Sequence, residues 1–250
     1  MVELRELIGR ARRILVFSGA GLSTGSGIPD FRGPGGVWSR RQPVYFDEFL
    51  ASEEKRVEYW DYKVEGWTQF RDAQPNAAHL ALAELERRGV VDAIVTQNID
   101  GLHQAAGSSE ARVIELHGTN RWVECVTCGA RTEPGPSIKR FAEERRCPRC
   151  ACGGFLKAAT ISFGQALRPE VLEAGFAAAE RADLVLALGS TLSVQPAAMI
   201  PLQAARRGAP YVVINRGPTD HDELCTLRLE GDLVEILPAA IRAPSTPSGR

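Results

Sequence analysis

The sequence predicts an α/β fold built on a parallel sheet, and three observations carry that prediction. Short apolar runs at 14–17, 93–95, 184–188 and 211–214 alternate with stretches of helical periodicity, the pattern of strands joined by crossover helices. A glycine-rich turn with an acidic, aromatic and basic tail, Gly19 to Arg32, follows the first run. Five of the six cysteines fall between Cys125 and Cys152 and interrupt the alternation. At 250 residues the chain can bury a substantial core as one large domain, or as one domain with a small insertion. A net charge of −1 gives no general reason to expect nucleic acid or an anionic membrane, so any partner is chosen by a site. No stretch approaches the roughly 18 apolar residues of a membrane span. The N-terminal residues place charge on both sides of a short strand, unlike a signal peptide, and the chain reads as soluble and cytoplasmic.

Taken in order, Ile14-Leu15-Val16-Phe17 is the first strand. The closely spaced glycines after it can bring bare backbone N–H groups near a phosphate, with a helix N-terminus behind them adding a favourable dipole. The Gly19-x-Gly21 spacing, with the next glycine at Gly25, departs from the G-x-G-x-x-G of dehydrogenases. An ordinary tight turn also accounts for two close glycines. The tail Pro29-Asp30-Phe31-Arg32 favours a nucleotide site, because a plain turn does not require it. The stretch Pro75–Leu85 predicts a helix, with Asn76 able to cap it, apolar residues at 78, 81, 82 and 85, and Gly89 as terminator. Strand Ala93-Ile94-Val95 ends in Thr96-Gln97-Asn98-Ile99-Asp100-Gly101-Leu102-His103, a density of amides and carboxylate that suits a nucleoside ligand. An Asx-type turn is the alternative there. Strand Val113–Leu116 ends at His117-Gly118. His117 is the best-placed general base, since imidazole titrates near working pH and the adjacent glycine lets substrate approach. His103 is its rival, while His79 and His221 read as structural or solvated. Helices are predicted from about Pro169 to Glu180 and from Pro196 to Arg207, each beginning with proline. Strand 184–188 opens onto Gly189-Ser190 and strand 211–214 onto Asn215. Strand ends of an open α/β sheet are where ligands bind, so these small and polar groups predict one crevice shared by an extended ligand. Residues 243–250 lack apolar periodicity and read as a disordered tail.

Cys125-Val-Thr-Cys128 and, further on, Cys147-Pro-Arg-Cys150 have the spacing of a tetrahedral zinc site. Four thiolates leave no open position for water, so one structural Zn2+ is expected. Such a module has too little apolar surface to fold without its metal. Cys152, followed by Gly153-Gly154, competes with Cys150 for the fourth place. Cys225 stands alone and reads as a small buried hydrophobe.

The motifs GAGLSTGSGIPDFR, TQNIDGLH, His117-Gly118, the cysteine quartet, Ile161-Ser162-Phe163-Gly164, Gly189-Ser190-Thr191 and Asn215-Arg216-Gly217 occur in one order. In that order the chain resembles the sirtuins, NAD-dependent protein deacylases, from about residue 10 to residue 238. The resemblance implies a Rossmann-like parallel sheet with helices on both faces plus a small zinc-binding lobe. A single catalytic domain would span 1–242, with the zinc lobe at about 120–158 and a helical segment at about 33–75. It places Gly19, Ala20 and Gly21 at the phosphates of NAD, and Asp30, Phe31 and Arg32 on a loop closing over it. Gln97, Asn98, Ile99 and Asp100 fall at the ribose and nicotinamide, and Gly189, Ser190, Asn215 and Leu233 at the adenosine half. His117 becomes the catalytic base, acting with Asn98 and Asp100. Acyl-lysine would pass Ile161, Phe163, Gly164 and Val194, its backbone pairing as a strand between Phe163-Gly164 and Ser193-Val194. The implied reaction transfers the acyl group to ADP-ribose, giving nicotinamide, O-acyl-ADP-ribose and free lysine. The chemistry resides in the cofactor, and the protein supplies orientation, a base and a dry cleft.

Two departures from the family pattern bear on the acyl group. Tyr59-Trp60-Asp61-Tyr62-Lys63 lacks the Tyr-x-x-Arg pair of sirtuins that prefer succinyl or malonyl groups, and the Lys63 ammonium cannot reproduce arginine's bidentate grip. Deacetylation, or removal of a longer neutral acyl chain, is therefore expected. Ser162 and Gln165 stand where many members carry an aromatic and an acid, which bears on acyl preference and leaves the NAD machinery intact. Two other readings stay open: a protein mono-ADP-ribosyltransferase using the same site, and a non-catalytic, zinc-stabilised NAD-sensing regulator. Against the second, pure binding would not need His117, Asn98 and Asp100 together. A dehydrogenase is disfavoured by the glycine spacing. The expected partners are NAD and acyl-lysine proteins, with no direct nucleic acid and no membrane.

Overall fold

A computed structural model describes residues 1–30 and 42–241. The expected tail at 243–250 and the beginning of the expected helical segment lie outside the described residues. The strands are β1 (Ile14–Ser18), β2 (Val91–Thr96), β3 (Val113–Glu115), β4 (Gly118–Cys125), β5 (Arg131–Thr132), β6 (Leu156–Thr160), β7 (Leu184–Leu188), β8 (Tyr211–Ile214) and β9 (Leu227–Leu229). The helices are α1 (Val2–Arg10), α2 (Phe46–Ala51), α3 (Glu53–Asp72), α4 (Ala77–Arg87), α5 (Leu102–Ala105), α6 (Pro134–Glu144), α7 (Pro169–Arg181), α8 (Met199–Arg206) and α9 (Leu233–Ile241).

Six strands form one parallel sheet in the order β3-β2-β1-β7-β8-β9. Successive side chains of a strand point to opposite faces, and β1 feeds both. Ile14 and Val16 join Leu4, Leu82, Leu85, Leu186 and Leu237 on the face covered by α1, α4 and α9. Leu15 and Phe17 join Val95, Ala178, Val185 and Ile200 on the face covered by α7 and α8. Burial on both faces is why β1, β7 and β8 read as continuous apolar runs instead of alternating ones.

The predicted helices form for the reasons expected. Asn76 Oδ1 accepts the N–H groups of Ala78 at 2.9 Å and His79 at 3.3 Å, capping α4. Helix α7 begins with Pro169, as proline's missing N–H costs nothing in a first turn. Helix α8 starts at Met199, later than Pro196, because the chain first makes a separate turn in which the Ala198 N–H reaches Val194 O at 2.9 Å.

The cysteine-rich stretch folds around a three-stranded antiparallel sheet, β5-β4-β6. Its own cluster contains Phe49, Tyr59, Trp60, Val123, Phe141 and Leu156, which ties α2, α3 and α6 to this sheet. Trp60 is central to it. The indole Nε1–H donates to Leu156 O at 3.1 Å and the ring stacks on Phe141 with centroids 6.0 Å apart. A buried indole finds a polar partner while filling apolar volume, so α3 is held in one register against the small sheet.

Candidate functional site

The C-terminal ends of β1, β2, β7 and β8 open onto one cleft of about 960 Å³ between the parallel sheet and the small sheet. Gly19, Ala20, Gly21, Asp30, Gln97, Asn98, Ile99, His117, Gly189, Ser190, Asn215 and Leu233 all line it. A volume of this size suits an extended ligand. Phe31 and Arg32 lie outside the described residues.

The glycine turn works differently from expectation. The Gly19 N–H donates to Leu188 O at 2.9 Å and the Gly21 N–H to Gly189 O at 2.8 Å, so these two groups are not bare. What the glycines provide is close approach. A Cβ at Gly21 would lie 2.8 Å from Gly189 Cα, and one at Gly19 would lie 2.8 Å from Gly189 O. The helix expected behind the turn is only two short 3-10 turns, Ala20–Leu22 and Thr24–Ser26. Gly25, Gly27 and Pro29 explain the difference, since glycine and proline are the poorest residues inside a helix.

At the end of β2 the polar groups lock one another. Asn98 is buried, and its Nδ2 donates to Gly19 O and to Ser23 Oγ, both at 3.1 Å. Asp100 stands behind the cleft wall, accepting Ser23 Oγ–H at 2.7 Å and the Leu102 N–H at 2.9 Å. Burial raises its carboxyl above the usual range, opposed by those hydrogen bonds. Gln97 Nε2 reaches Ser190 Oγ at 2.8 Å, joining the β2 and β7 ends. Gln97 O lies 3.0 Å from His117 Nδ1. A carbonyl only accepts, so Nδ1 carries the proton and Nε2 is the basic nitrogen of the neutral ring. His117 therefore has the tautomer a general base needs, at the seam between the two sheets. His103, its rival, does not line the cleft and is buried behind Ser18. His79 is fully buried in α4, and His221 is buried with Nδ1 2.9 Å from Tyr211 Oη.

Ile161, Phe163, Gly164 and Val194, the residues expected along an acyl-lysine path, also line the cleft. The Ile161 N–H donates to His117 O at 2.8 Å, so the end of β6 is anchored beside His117. Phe163 packs on Tyr45 with ring centroids 5.9 Å apart. Tyr59, Tyr62 and Lys63 of α3 form the inner wall, to which sequence reasoning assigned no role beyond Lys63. Lys63 Nζ donates to Asn120 Oδ1 at 3.1 Å, and burial pulls its ammonium down to about 8. Lys157 on β6 is buried with its Nζ donating to Ala158 O at 3.2 Å and to Thr160 O. Burial first, then the nearby Lys63 charge, lower it to about 7. Its one sequence signal is a lysine inside the apolar run 155–160.

The metal centre corrects the expected ligand set. Cys125, Cys128, Cys150 and Cys152 bring their sulfurs within 4.8 Å of one another, and Cys147 is not among them. Cys147 is buried in the aromatic cluster, its thiol directed at Leu156 O and Pro148 O, each at 3.6 Å. Cys150 and Cys152 both belong to the set because they share one knuckle, in which the Cys150 N–H donates to Gly154 O and the Gly153 N–H to Cys150 O, each at 2.9 Å. Gly154 lets that knuckle close, since a Cβ there would lie 2.7 Å from Cys125 Sγ. The legible signal was Cys150-Ala-Cys152-Gly-Gly, a C-x-C turn. Sulfurs at about 2.3 Å from a tetrahedral zinc would stand about 3.8 Å apart. The Cys125–Cys152 and Cys128–Cys150 separations are 3.5 and 3.7 Å, so the four thiols fit a structural zinc ion.

A family model described as Sir2 family matches residues 19–196. The NAD-dependent protein deacetylase of Rhodopseudomonas palustris is 44% identical over 236 residues, covering 94% of this chain and 93% of that protein. NAD-dependent protein deacetylase 1 of Bradyrhizobium diazoefficiens is 45% identical over 236 residues, covering 94% and 92%. Among solved structures, a Sir2 variant with a deacetylated p53 peptide and 3′-O-acetyl-ADP-ribose superposes with a TM-score of 0.88 at 37% identity, covering 95% of each chain. A Sir2 complex with p53 peptide and NAD+ gives a TM-score of 0.85 at 37% identity, covering 94% of each.

Proposed function

Because the chain belongs to the Sir2 family, the sirtuins, we infer that its cleft performs NAD-dependent protein-lysine deacetylation, moving the acyl group to ADP-ribose and releasing nicotinamide and free lysine. The observation that carries this reading is the His117 imidazole on the cleft wall, held by Gln97 O with Nε2 as its basic nitrogen. When bound, NAD supplies an electrophilic ribose carbon and nicotinamide as leaving group.

The chain's own residues then divide the work. The turn Gly19-Ala20-Gly21 lies at the phosphates, and Gly189, Ser190, Asn215 and Leu233 hold the adenosine half. Gln97, Asn98 and Ile99 shape the ribose and nicotinamide end, with Asp100 behind them holding Ser23, and Asp30 lines the same cleft. Asn98 spends both amide hydrogens on Gly19 O and Ser23 Oγ, which leaves Oδ1 as the acceptor for a ligand hydroxyl or water. His117 Nε2 takes the proton of a ribose hydroxyl. Ile161, Phe163, Gly164 and Val194 guide acyl-lysine, and strand-like pairing of its backbone supports broad sequence tolerance. Residues 1–242 act as one catalytic domain, with the zinc lobe at about 120–158 forming one wall. Tyr59 and Tyr62 suit a small neutral acyl group. The reduced thiolates of the metal site fit a cytoplasmic protein.

The test is incubation of the protein with NAD and an acetyl-lysine peptide, with nicotinamide, deacetylated peptide and O-acetyl-ADP-ribose measured by mass spectrometry. The His117→Ala variant should bind NAD and fail to turn over. ADP-ribosylated protein without acyl-ADP-ribose from any acyl peptide would overturn the reading.

A further inference from the structure

We propose that His103, buried beneath the cleft, is a positioning residue for Asn98, acting through Ser18 and Thr96. The proposal rests on the deacetylase reading. Ser18 and Thr96 are the last residues of β1 and β2 and sit side by side in register. Ser18 Oγ–H donates to Thr96 Oγ1 at 2.8 Å, and the same Thr96 oxygen accepts the Asn98 N–H at 3.0 Å. The serine has one proton, and Thr96 receives it. The 2.9 Å contact between Ser18 Oγ and His103 Nε2 is therefore donated by the imidazole, which fixes the Nε2–H tautomer.

Burial keeps that ring neutral. Desolvation, with the His79 ring 5.2 Å away, pulls His103 down to about 3 and leaves no proton on Nδ1 at working pH. The chain of donors thus has one direction, from His103 to Ser18 to Thr96, where it meets the Asn98 N–H. From Asn98 the network runs on through Nδ2 to Ser23 Oγ, and from Ser23 to Asp100 Oδ2. Asp100 Oδ1 accepts the N–H of Leu102, the neighbour of His103, and the ring of bonds closes. Each member is buried or half-buried, so a broken link cannot be replaced cheaply by solvent. Without the His103 donor, the Ser18 hydroxyl is free to rotate away from Thr96. The turn that holds Asn98 at the cleft then loses its support.

The experiment compares the wild type with His103→Leu, His103→Gln and Ser18→Ala in nicotinamide release from NAD with an acetyl-lysine peptide. Nitrogen-15 NMR of the ring reads the tautomer. His103→Leu should lower kcat by about tenfold or more, as small misplacements of catalytic groups do, with the peptide KM within about twofold. His103→Gln, whose amide N–H can replace Nε2–H, should recover most of kcat. Ser18→Ala cuts the same link without disturbing the ring's packing and should reproduce the leucine deficit even if His103→Leu does not fold. An unchanged kcat in Ser18→Ala overturns the proposal, as does a glutamine variant no better than leucine or an Nδ1–H tautomer. A wild type that releases no nicotinamide would instead sink the deacetylase reading, while the tautomer would still report on the chain.

Discussion

Replacing Cys152 with serine should weaken zinc binding sharply, whereas replacing Cys147 should not. The four sulfurs of Cys125, Cys128, Cys150 and Cys152 stand within 4.8 Å of one another, with close pairs at 3.5 and 3.7 Å, so one tetrahedral ion can touch all four. Structural zinc is bound with about 10–16 kcal/mol of apparent free energy. An equal share for one thiolate is about 3–4 kcal/mol, which weakens binding on the order of 100- to 1000-fold. Cys147 offers its thiol to backbone carbonyls in the aromatic cluster, so Cys147→Ala should cost about 1–2 kcal/mol of packing and leave the metal in place. Elemental analysis of the purified variants, with competition against a chelating dye, reads stoichiometry and affinity together. A Cys152→Ser protein that keeps one tight zinc while Cys147→Ala loses it would refute the ligand set.

Three further outcomes follow from the packing and the titrating groups. Gly21→Ala would set a Cβ 2.8 Å from Gly189 Cα, against about 3.5–4.0 Å for relaxed carbon contacts. The expected cost is about 1–3 kcal/mol, seen as a Tm lower by several degrees and as weaker NAD binding by calorimetry; a variant matching the wild type in both would contradict the close-approach argument. His79 and His103 have folded-state values pulled down to about 4 and about 3 by burial, so below about pH 6.5 the unfolded chain takes up protons that the folded one refuses. Stability should fall as pH drops from about 6.5 toward 4, by up to about 1.4 kcal/mol per unit for each ring. In urea titrations His79→Gln should lose about one proton's worth of that slope, and an identical slope would count against the buried neutral ring. Lys157, lowered to about 7, sheds its proton in the folded state while the unfolded chain keeps it up to about 10.4. Stability from this group should therefore rise with pH between those values, since a neutral amine still has two N–H donors for Ala158 O and Thr160 O. The Tm difference between pH 7 and pH 9.5 should shrink in Lys157→Met, and persistence of the full difference would assign it to other groups.

The parallel sheet was legible because strands buried on both faces must be apolar throughout, as 14–18, 184–188 and 211–214 are. Helix α4 was legible through its local signals, the Asn76 cap and the apolar spacing. The end of β2 was also legible as part of the cleft wall, because amides and a carboxylate crowd a strand terminus there and Gln97, Asn98 and Ile99 line the cleft. Other features depend on partners distant in the chain. Gly19 and Gly21 looked like donors to a phosphate, but their N–H groups are taken by Leu188 and Gly189, about 170 residues away. Tyr59, Tyr62 and Lys63 reach the cleft wall only because Trp60 and Phe141 pin α3 against the small sheet. His103 and His117 both follow strand ends, and only the packing puts one behind Ser18 and the other on the cleft wall.

What the sequence determined by itself was the class of fold, the family and the presence of a four-thiolate metal site, because periodicity, local turn chemistry and motif order are properties of neighbouring residues. The tertiary structure alone decided which four cysteines converge and which glycine contacts are steric. It also decided which histidine faces the cleft and which sits behind it. Each of these depends on distances between segments far apart in sequence, and such distances are set by how the sheets and helices pack, which no local pattern records.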